Sequence, residues 1–198
     1  MTLDSYRPHV AGVLDLLVRI AIRLRLTPNQ LSTLSFVLAL AGGLLYAAGS
    51  IAGGLVCVAA NAVFDAVDGA LARATGRQGP RGDFLDHAID RYADIFIITG
   101  IFAGGFASWQ IGVFALTGVL MASYLGTQAQ AVGVGRYYGG VLGRADRLVL
   151  LMAASLLDLA FGGTVGGMRL LGWTLVLFGL LGHFTALQRF VWVWRRVG

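Results

Sequence analysis

"FDAVDGALARATGRQGPRGDFLDHAID", residues Phe64–Asp90, carries an unusual density of acid for so apolar a chain. Six of the ten acidic residues among the 198 fall between Asp65 and Asp94. A carboxylate in or near hydrocarbon is strongly disfavoured unless a partner offsets the loss of its hydration. The cluster therefore predicts a charge partner, and the nature of that partner indicates the chemistry.

The composition of the chain is typical of a membrane protein. Hydrophobic residues make up 57% of it, charged residues 13%, and the mean hydropathy is +0.76. Soluble domains carry about 25% charged residues. The single Cys57 can form no disulfide within the chain. The N-terminus lacks the pattern of a cleavable secretory signal, so we expect it to remain in the mature protein.

Six apolar stretches are long enough to cross a bilayer. They are Leu31–Ala48, Ile51–Arg73, Asp83–Phe106, Ile111–Ala131, Arg147–Phe161 and Leu170–Trp192. All fifteen basic residues are arginine, and most lie at the termini or in the connections after the second and fourth spans. The positive-inside rule therefore predicts an all-α, multi-pass protein of the cell membrane with both termini and the acidic cluster on the cytoplasmic side. We expect the net charge of +5 to meet lipid headgroups and not nucleic acid.

The segment before the first span, residues 1–26, is predicted to be an amphipathic helix lying in the membrane interface. Asp15, Arg19 and Arg23 follow one another at four-residue spacing and so share one helical face. A seventh span is the alternative. Thr27 and Pro28 are typical of a helix start, so residues 27–198 are predicted to form a six-helix membrane domain.

Helical spacing brings the acids of spans two and three together. Asp65 and Asp68 lie on one face near the end of span two, and Asp86 and Asp90 lie on one face near the start of span three. A connection of about eight residues returns the second helix antiparallel to the first. The four carboxylates should therefore converge at one depth.

Protons, arginines or divalent cations could be the partner of this cluster. Arg73 and Arg91 are too few to neutralise six acids, and a proton relay would need acids spread across the bilayer. Hard oxygen ligands without cysteine suit Mg²⁺ or Mn²⁺, and four aspartates can hold two such ions. His87 points about 100° away from Asp86 on a helix, so we expect it to pack or to contact headgroups.

The full spacing reads Asp65-x2-Asp68-Gly69-x2-Ala72-Arg73-x8-Gly82-x3-Asp86-x3-Asp90, and the small residues beside the acids leave a groove. This pattern resembles the signature of the CDP-alcohol phosphatidyltransferase family at all eight of its positions. The resemblance extends to the six-span layout, the N-terminal helix and "LTPNQLS". It implies transfer of a phosphatidyl-type group from a CDP-linked lipid to a small polar alcohol, with release of CMP, dependence on Mg²⁺ or Mn²⁺, and a homodimer.

The resemblance also implies roles for individual residues. Asp65 and Asp68 would hold metal, Asp86 would bridge the two ions, and Asp90 would bind metal and act as general base on the acceptor hydroxyl. The nucleotide of the CDP-lipid would be bound by Asn29, Ser32, Gly69, Ala72, Arg73, Gly79 and Gly82. Outside the signature, we expect Asp83 to support the metal site or to be solvated, and Asp94 to pair with Arg91 or to be solvated.

The acceptor is predicted to meet arginines on the cytoplasmic side: Arg136, Arg144, Arg147 and Arg189. Such a set suits an anionic headgroup precursor. "LDHAIDRYAD" resembles the archaeal and actinobacterial branch of the family that uses inositol phosphate, in which Arg147 and Arg189 match phosphate-contacting positions. Gly126 and Gln128 depart from that branch, which has basic residues there. Glycerol phosphate or another phosphorylated polyol therefore stays open, as does a diacyl or diether donor.

Two other classes of protein are alternatives. A divalent-cation transporter would need acids at the bilayer midplane or on several spans, whereas the other spans here are nearly free of acid. A non-catalytic scaffold or lipid-binding membrane protein would need no intact Asp90. Replacement of Asp90 by asparagine separates these classes, because only an enzyme would lose turnover while it still folds and binds nucleotide.

Overall fold

The chain is all α-helical over the residues that the structure describes, which are 7–197. This computed structural model contains seven helices: α1 Arg7–Arg23, α2 Pro28–Ala47, α3 Ile51–Ala74, α4 Pro80–Ala103, α5 Trp109–Ala131, α6 Arg144–Phe161 and α7 Leu170–Trp194. Within that range the β-structure is limited to one isolated bridge, between Val165 and Met168. The predicted all-α class is confirmed.

Helices α2 to α7 coincide with the six predicted apolar stretches, apart from small shifts at their ends. The largest shifts are of three residues: α2, α4 and α6 begin three residues early, at Pro28, Pro80 and Arg144, and α4 also ends three residues early, at Ala103. Pro80 is a favourable first helical residue. At α6 the Asp146 carboxylate accepts a hydrogen bond from the Gly143 N–H at 2.9 Å, which caps the earlier start.

Four of the helices within residues 7–197, namely α2, α3, α5 and α7, are long and apolar enough to cross a membrane. Helix α4 carries four of the acids, and α6 begins with Arg144, Asp146 and Arg147, and this charge lowers the hydropathy of both helices. The chain is therefore a multi-pass membrane protein by composition, whereas six spans and their orientation stay predictions.

The N-terminal helix packs against the start of α2 and the end of α3. Val18 and Ala21 of α1 are buried against Leu31, Val67 and Leu71. The interfacial position of α1 and the division at residue 26 stay predictions, and residues 1–6 of that segment lie outside the described part of the chain.

Glycines allow α2 and α4 to approach until their backbones touch. A Cβ built on Gly100 would collide with the carbonyl group of Gly43, and one built on Gly43 would collide with the carbonyl of Phe96. Small residues are the usual means of close helix packing in membranes. Gly100 of α4 thus serves packing between helices of the same chain. The predicted homodimer stays a prediction.

Replacement of Gly100 by valine is expected to destabilise the bundle by about 1–3 kcal/mol, because side-chain atoms would be forced into the α2 backbone. Thermal unfolding in detergent, followed by circular dichroism, measures the effect. Gly12→Ala is the matched control, since a Cβ at Gly12 meets no atom within 4 Å. Equal unfolding temperatures for Gly100→Val and the wild type would contradict the packing.

Candidate active site

Three aspartates from two helices converge on one point. Carboxylate oxygens of Asp65 and Asp68 on α3 and of Asp86 on α4 lie within 4.8 Å of one another. The antiparallel return of the chain between Ala74 and Pro80 places them at the same end of the bundle. Carboxylate oxygens at this separation are suitable ligands for Mg²⁺ or Mn²⁺, and these side chains fit the hard cation that the sequence predicts.

Asp90 lies one turn beyond Asp86 and belongs to a second group. Ligand atoms of Asp86, His87 and Asp90 also lie within 4.8 Å of one another. The His87 ring therefore lies beside the acids, whereas the sequence predicts that it packs or contacts headgroups. Its Nε2 lies 3.5 Å from Oδ1 of Asp83, one turn before it. The length of the imidazole side chain lets the ring reach across the angle that separates it from its neighbours on the helix.

Arg144 joins the two acidic groups. Its Nη1 lies 2.6 Å from Oδ2 of Asp65 and 2.7 Å from Oδ1 of Asp90. Arg91 adds a weaker ion pair to the other oxygen of Asp90, at 3.3 Å. One guanidinium thus stands between α3 and α4 and is shared by two carboxylates that are predicted to hold metal.

The residues predicted to bind nucleotide line one cavity of about 230 Å³ beside the acids. All seven are present: Asn29, Ser32, Gly69, Ala72, Arg73, Gly79 and Gly82. The Ser32 hydroxyl donates a hydrogen bond to Oδ2 of Asp68 at 2.6 Å, which ties the start of α2 to the acidic cluster. Arg77 and Gln78 also line the cavity and were missed, although their place in the α3–α4 connection, between predicted site residues, is a signal for them.

The four arginines of the predicted acceptor site line a second cavity of about 180 Å³. It contains Arg136, Arg144, Arg147 and Arg189, together with His87, Asp90 and Arg91. Asp90 therefore lies where the acidic cluster and this basic cavity meet. Tyr137 and Tyr138 also line the cavity and were missed, because aromatic residues in a connection carry no distinctive spacing.

Asp94 pairs with Arg147, so the expectation that it pairs with Arg91 or is solvated is wrong. Nη2 of Arg147 donates to Oδ2 of Asp94 at 2.7 Å, and both side chains are buried. Arg91 reaches Asp90 instead. Helix α6 supplies a closer cation to Asp94 than its own helix does, and burial makes such a pair mutually dependent.

Arg189 of α7 forms hydrogen bonds to α5 and to the connection between α5 and α6. Its guanidinium donates to the main-chain carbonyls of Ala122 at 2.6 Å, Gly139 at 2.8 Å and Tyr138 at 3.3 Å. A Cβ on Gly126 would lie 2.6 Å from Nη1 of Arg189, so this cation occupies the space beside Gly126. Most of the hydrogen-bonding capacity of Arg189 is thereby used inside the protein.

Arg136 is held by an acid as well. It makes two hydrogen bonds to Asp83, of 3.1 Å and 2.8 Å, and a third to the Tyr138 hydroxyl at 2.9 Å. The bond to Asp83 raises the pKa of Arg136 above its ordinary value, so the guanidinium stays charged. Asp83 therefore has a partner in addition to solvent and the neighbouring acids. Through Arg136 it anchors the α5–α6 connection.

Within residues 7–197, a helical bundle holds a convergent set of aspartates beside a basic cavity, and comparison with known proteins identifies the class of protein. Residues 25–194 match the model of the family CDP-alcohol phosphatidyltransferase. The chain belongs to this family. It is therefore a CDP-alcohol phosphatidyltransferase, an enzyme of phospholipid biosynthesis, and this result favours neither the transporter nor the scaffold.

Several relatives carry more specific names. The chain is 34% identical over 199 residues to the archaetidylinositol phosphate synthase of Methanothermobacter thermautotrophicus, covering 98% of this chain and 95% of that protein. It is 31% identical over 207 residues to the phosphatidylinositol phosphate synthase of Streptomyces avermitilis, covering 98% of this chain and 83% of the relative.

Two crystal structures of the phosphatidylinositol phosphate synthase of Mycobacterium tuberculosis have the same fold. The structure with CDP-DAG bound aligns with a TM-score of 0.77 at 25% identity, over 92% of this chain and 94% of that one. The structure in complex with manganese and citrate aligns with a TM-score of 0.78 at 25% identity, over 91% and 88%.

Proposed function

We propose that this enzyme transfers the phosphatidyl-type group of a CDP-linked lipid to a hydroxyl of inositol phosphate, with release of CMP. The observation that carries the proposal is that two cavities adjoin the acidic cluster: Asp86 lines the first, and Asp90, one turn beyond it on α4, lines the second. One is lined by the predicted nucleotide residues and the other by four arginines. The names of the relatives and the mycobacterial structure with CDP-DAG support the acceptor and the donor, respectively.

The departure at Gly126 is compatible with inositol phosphate. The branch that uses this acceptor has a basic residue at that position, and here the guanidinium of Arg189 fills the same space. Arg189, which matches a phosphate-contacting position of that branch, keeps a cation beside position 126. The cavity still contains four arginines, so its charge suits an anionic acceptor although the basic residue of α5 is absent.

We assign Asp65, Asp68, Asp86 and Asp90 as the ligands of two divalent ions, Mg²⁺ or Mn²⁺. Their convergence supports this assignment, as does the manganese complex of the mycobacterial relative. When bound, such ions would neutralise the pyrophosphate of the donor and stabilise the departing CMP. Asp65 and Asp90 would then share their charge with the ions, so Arg144 becomes available to the neighbouring acceptor cavity.

Asp90 is assigned as the general base. It lies at the edge of the arginine-lined cavity and next to Asp86, so an acceptor hydroxyl held by the arginines can reach its carboxylate. The base receives the hydroxyl proton as the new phosphodiester bond forms. Arg91 and Arg144 contact the carboxylate and orient it toward the cavity, so positioning is the main requirement for this base.

Arg144 and Arg147 are assigned as the groups that bind the phosphate of the acceptor. Both line the cavity and both approach it from the start of α6. Arg136 and Arg189 are assigned as positioning residues at the rim, because Asp83 and three carbonyl groups already hold them. We further propose that this end of the bundle faces the cytoplasm, which the distribution of arginine supports. We also propose a homodimer, which the family resemblance implies.

The reaction is tested by CMP release from purified protein with Mg²⁺ and a CDP-lipid. Inositol phosphate, inositol, serine, glycerol 1-phosphate and glycerol 3-phosphate are offered in turn. We expect CMP only with inositol phosphate. CMP release with a glycerol phosphate alone would contradict the assignment of inositol phosphate as the acceptor but would agree with the reaction class. CMP release without any acceptor would indicate hydrolysis of the CDP-lipid.

Replacement of Arg147 by alanine is expected to raise the acceptor KM about 10- to 100-fold, because one charge-assisted contact to phosphate is lost. The donor KM should change much less. Arg169→Ala is a control at the other end of the bundle, and Asp94→Asn tests the ion pair without removing the cation. Equal effects of Arg147→Ala on both KM values would contradict the assignment of Arg147 to acceptor binding.

A further inference from the structure

A groove of about 610 Å³ lies between the α5–α6 connection and the last turns of α7. We call it the C-terminal groove, and the residues used below are Tyr137, Leu187, Gln188, Trp192, Arg195 and Arg196. Tyr137 is shared with the arginine-lined cavity, and the remaining lining residues are not. Tyr137, together with the side chains that stack on it, therefore forms the wall between the groove and the candidate active site.

The wall is a rigid stack of three side chains. The rings of Tyr137 and Trp192 lie 3.9 Å apart at 7°. The guanidinium carbon of Arg196 lies 3.8 Å from the centre of the Trp192 ring, and its Nη1 donates to the Trp192 carbonyl at 3.1 Å. Arg196 is thus held in place before any ligand arrives, which lowers the entropy lost on binding.

The charge and polarity of the groove fit an anion that carries hydroxyl groups. Arg195 and Arg196 line it, and no acidic side chain does so among the described residues. Oε1 of Gln188 is buried without a hydrogen-bond partner within the same described range. A buried acceptor of this kind is costly unless it finds a donor. Gln188 is half-buried and lines the groove, so rotation of its amide would bring the oxygen to a headgroup hydroxyl.

The position of the groove selects a membrane lipid over a free anion. Helix α7 is one of the four helices suited to cross a membrane. Trp192 and Trp194 lie at its end and Arg195 and Arg196 follow it, a pattern typical of the headgroup level. Leu187, about two turns before the arginines, is 58% exposed and offers an apolar surface to an acyl chain. A lipid whose phosphate lies at the arginines could therefore place a chain along Leu187.

We propose that the C-terminal groove binds an anionic phospholipid whose headgroup carries free hydroxyl groups. Arg195 and Arg196 bind its phosphate, Gln188 accepts a hydrogen bond from a hydroxyl, and Leu187 contacts a chain. This site is distinct from those of the donor and the acceptor, and it does not depend on the proposed reaction.

Native mass spectrometry of the full chain tests the site, with phosphatidylglycerol and phosphatidylcholine offered as an equimolar mixture. The wild type should retain phosphatidylglycerol in preference. The double variant Arg195→Gln/Arg196→Gln should lower that preference about 10- to 30-fold, as expected for two cations at a headgroup. Arg169→Gln, at the other end of the bundle, should keep it. Unchanged retention in the double variant would overturn the proposal.

Two further measurements hold even if the double variant folds poorly. Gln188→Leu should abolish the preference for phosphatidylglycerol over phosphatidic acid, whose headgroup has no hydroxylated alcohol, and an unaltered preference would refute the role of Gln188. Excess inorganic phosphate or inositol phosphate should leave the lipid bound, and displacement would place it in the acceptor cavity instead.

Discussion

Asp90→Asn is expected to lower kcat by about 10²–10⁴-fold, the range for loss of a general base. An amide has the size of the carboxylate but cannot take the acceptor proton, and it binds a divalent cation more weakly. The ion pair of Arg144 with Asp65 does not involve Asp90 and should hold α3 and α6 in place. Acceptor-dependent CMP release measures kcat, and equilibrium binding of CDP-lipid measures the nucleotide site.

The matched control is Asp15→Asn, which removes an exposed acid of α1 outside both cavities. It should leave kcat within a factor of about two, in line with the small effect of most surface substitutions. The Asp90 variant should elute and unfold like the wild type while it still binds the donor. Substantial turnover by a folded Asp90→Asn protein would show that another group accepts the proton, and Asp86 and His87 are the candidates, since their ligand atoms lie within 4.8 Å of that of Asp90.

Removal of divalent metal by EDTA is expected to reduce CMP release to background. The acids of the cluster would then repel the pyrophosphate of the donor, with Arg144 as the main compensating cation among the described residues near Asp65 and Asp90. Addition of Mg²⁺ or Mn²⁺ beyond the chelator should restore activity. A dependence of the rate on the square of the metal concentration, below saturation, is expected for two ions.

Binding of Mn²⁺, followed by electron paramagnetic resonance without substrate, gives a readout that does not depend on turnover. Asp68→Asn should weaken this binding, whereas Asp158→Asn should not, because the Asp158 carboxylate accepts from the N–H groups of Leu170 and Leu171 at the other end of the bundle. Full activity in metal-free buffer would reject the metal site altogether.

Local rules were sufficient for the helices and for the acidic cluster. Apolar length located α2 to α7, and intervals of three or four residues placed Asp65 with Asp68 and Asp86 with Asp90 on common faces. Because the connection between α3 and α4 is short, the two helices had to be antiparallel neighbours. The N-cap at Thr27 was also predictable, and the capping box with Gln30 confirms it.

The partners of the charged residues were less predictable, because they depend on which helices become neighbours. Arg147 and Asp94 are 53 positions apart, and Arg144 and Asp65 are 79 apart. No periodicity within one helix relates such residues. Arg189 was expected to meet a ligand, yet it donates to carbonyl groups of a connection whose path the sequence does not reveal.

The contact between Gly126 and Arg189 has an evolutionary consequence. A Cβ at position 126 would lie 2.6 Å from Nη1 of Arg189, so any side chain there requires the guanidinium to move. That movement would disturb its hydrogen bonds to three carbonyl groups. Relatives with a basic residue at 126 must therefore hold the arginine at 189 in a different way. The two positions are expected to be epistatic, and an exchange of acceptor preference between homologues would require both to be transplanted together.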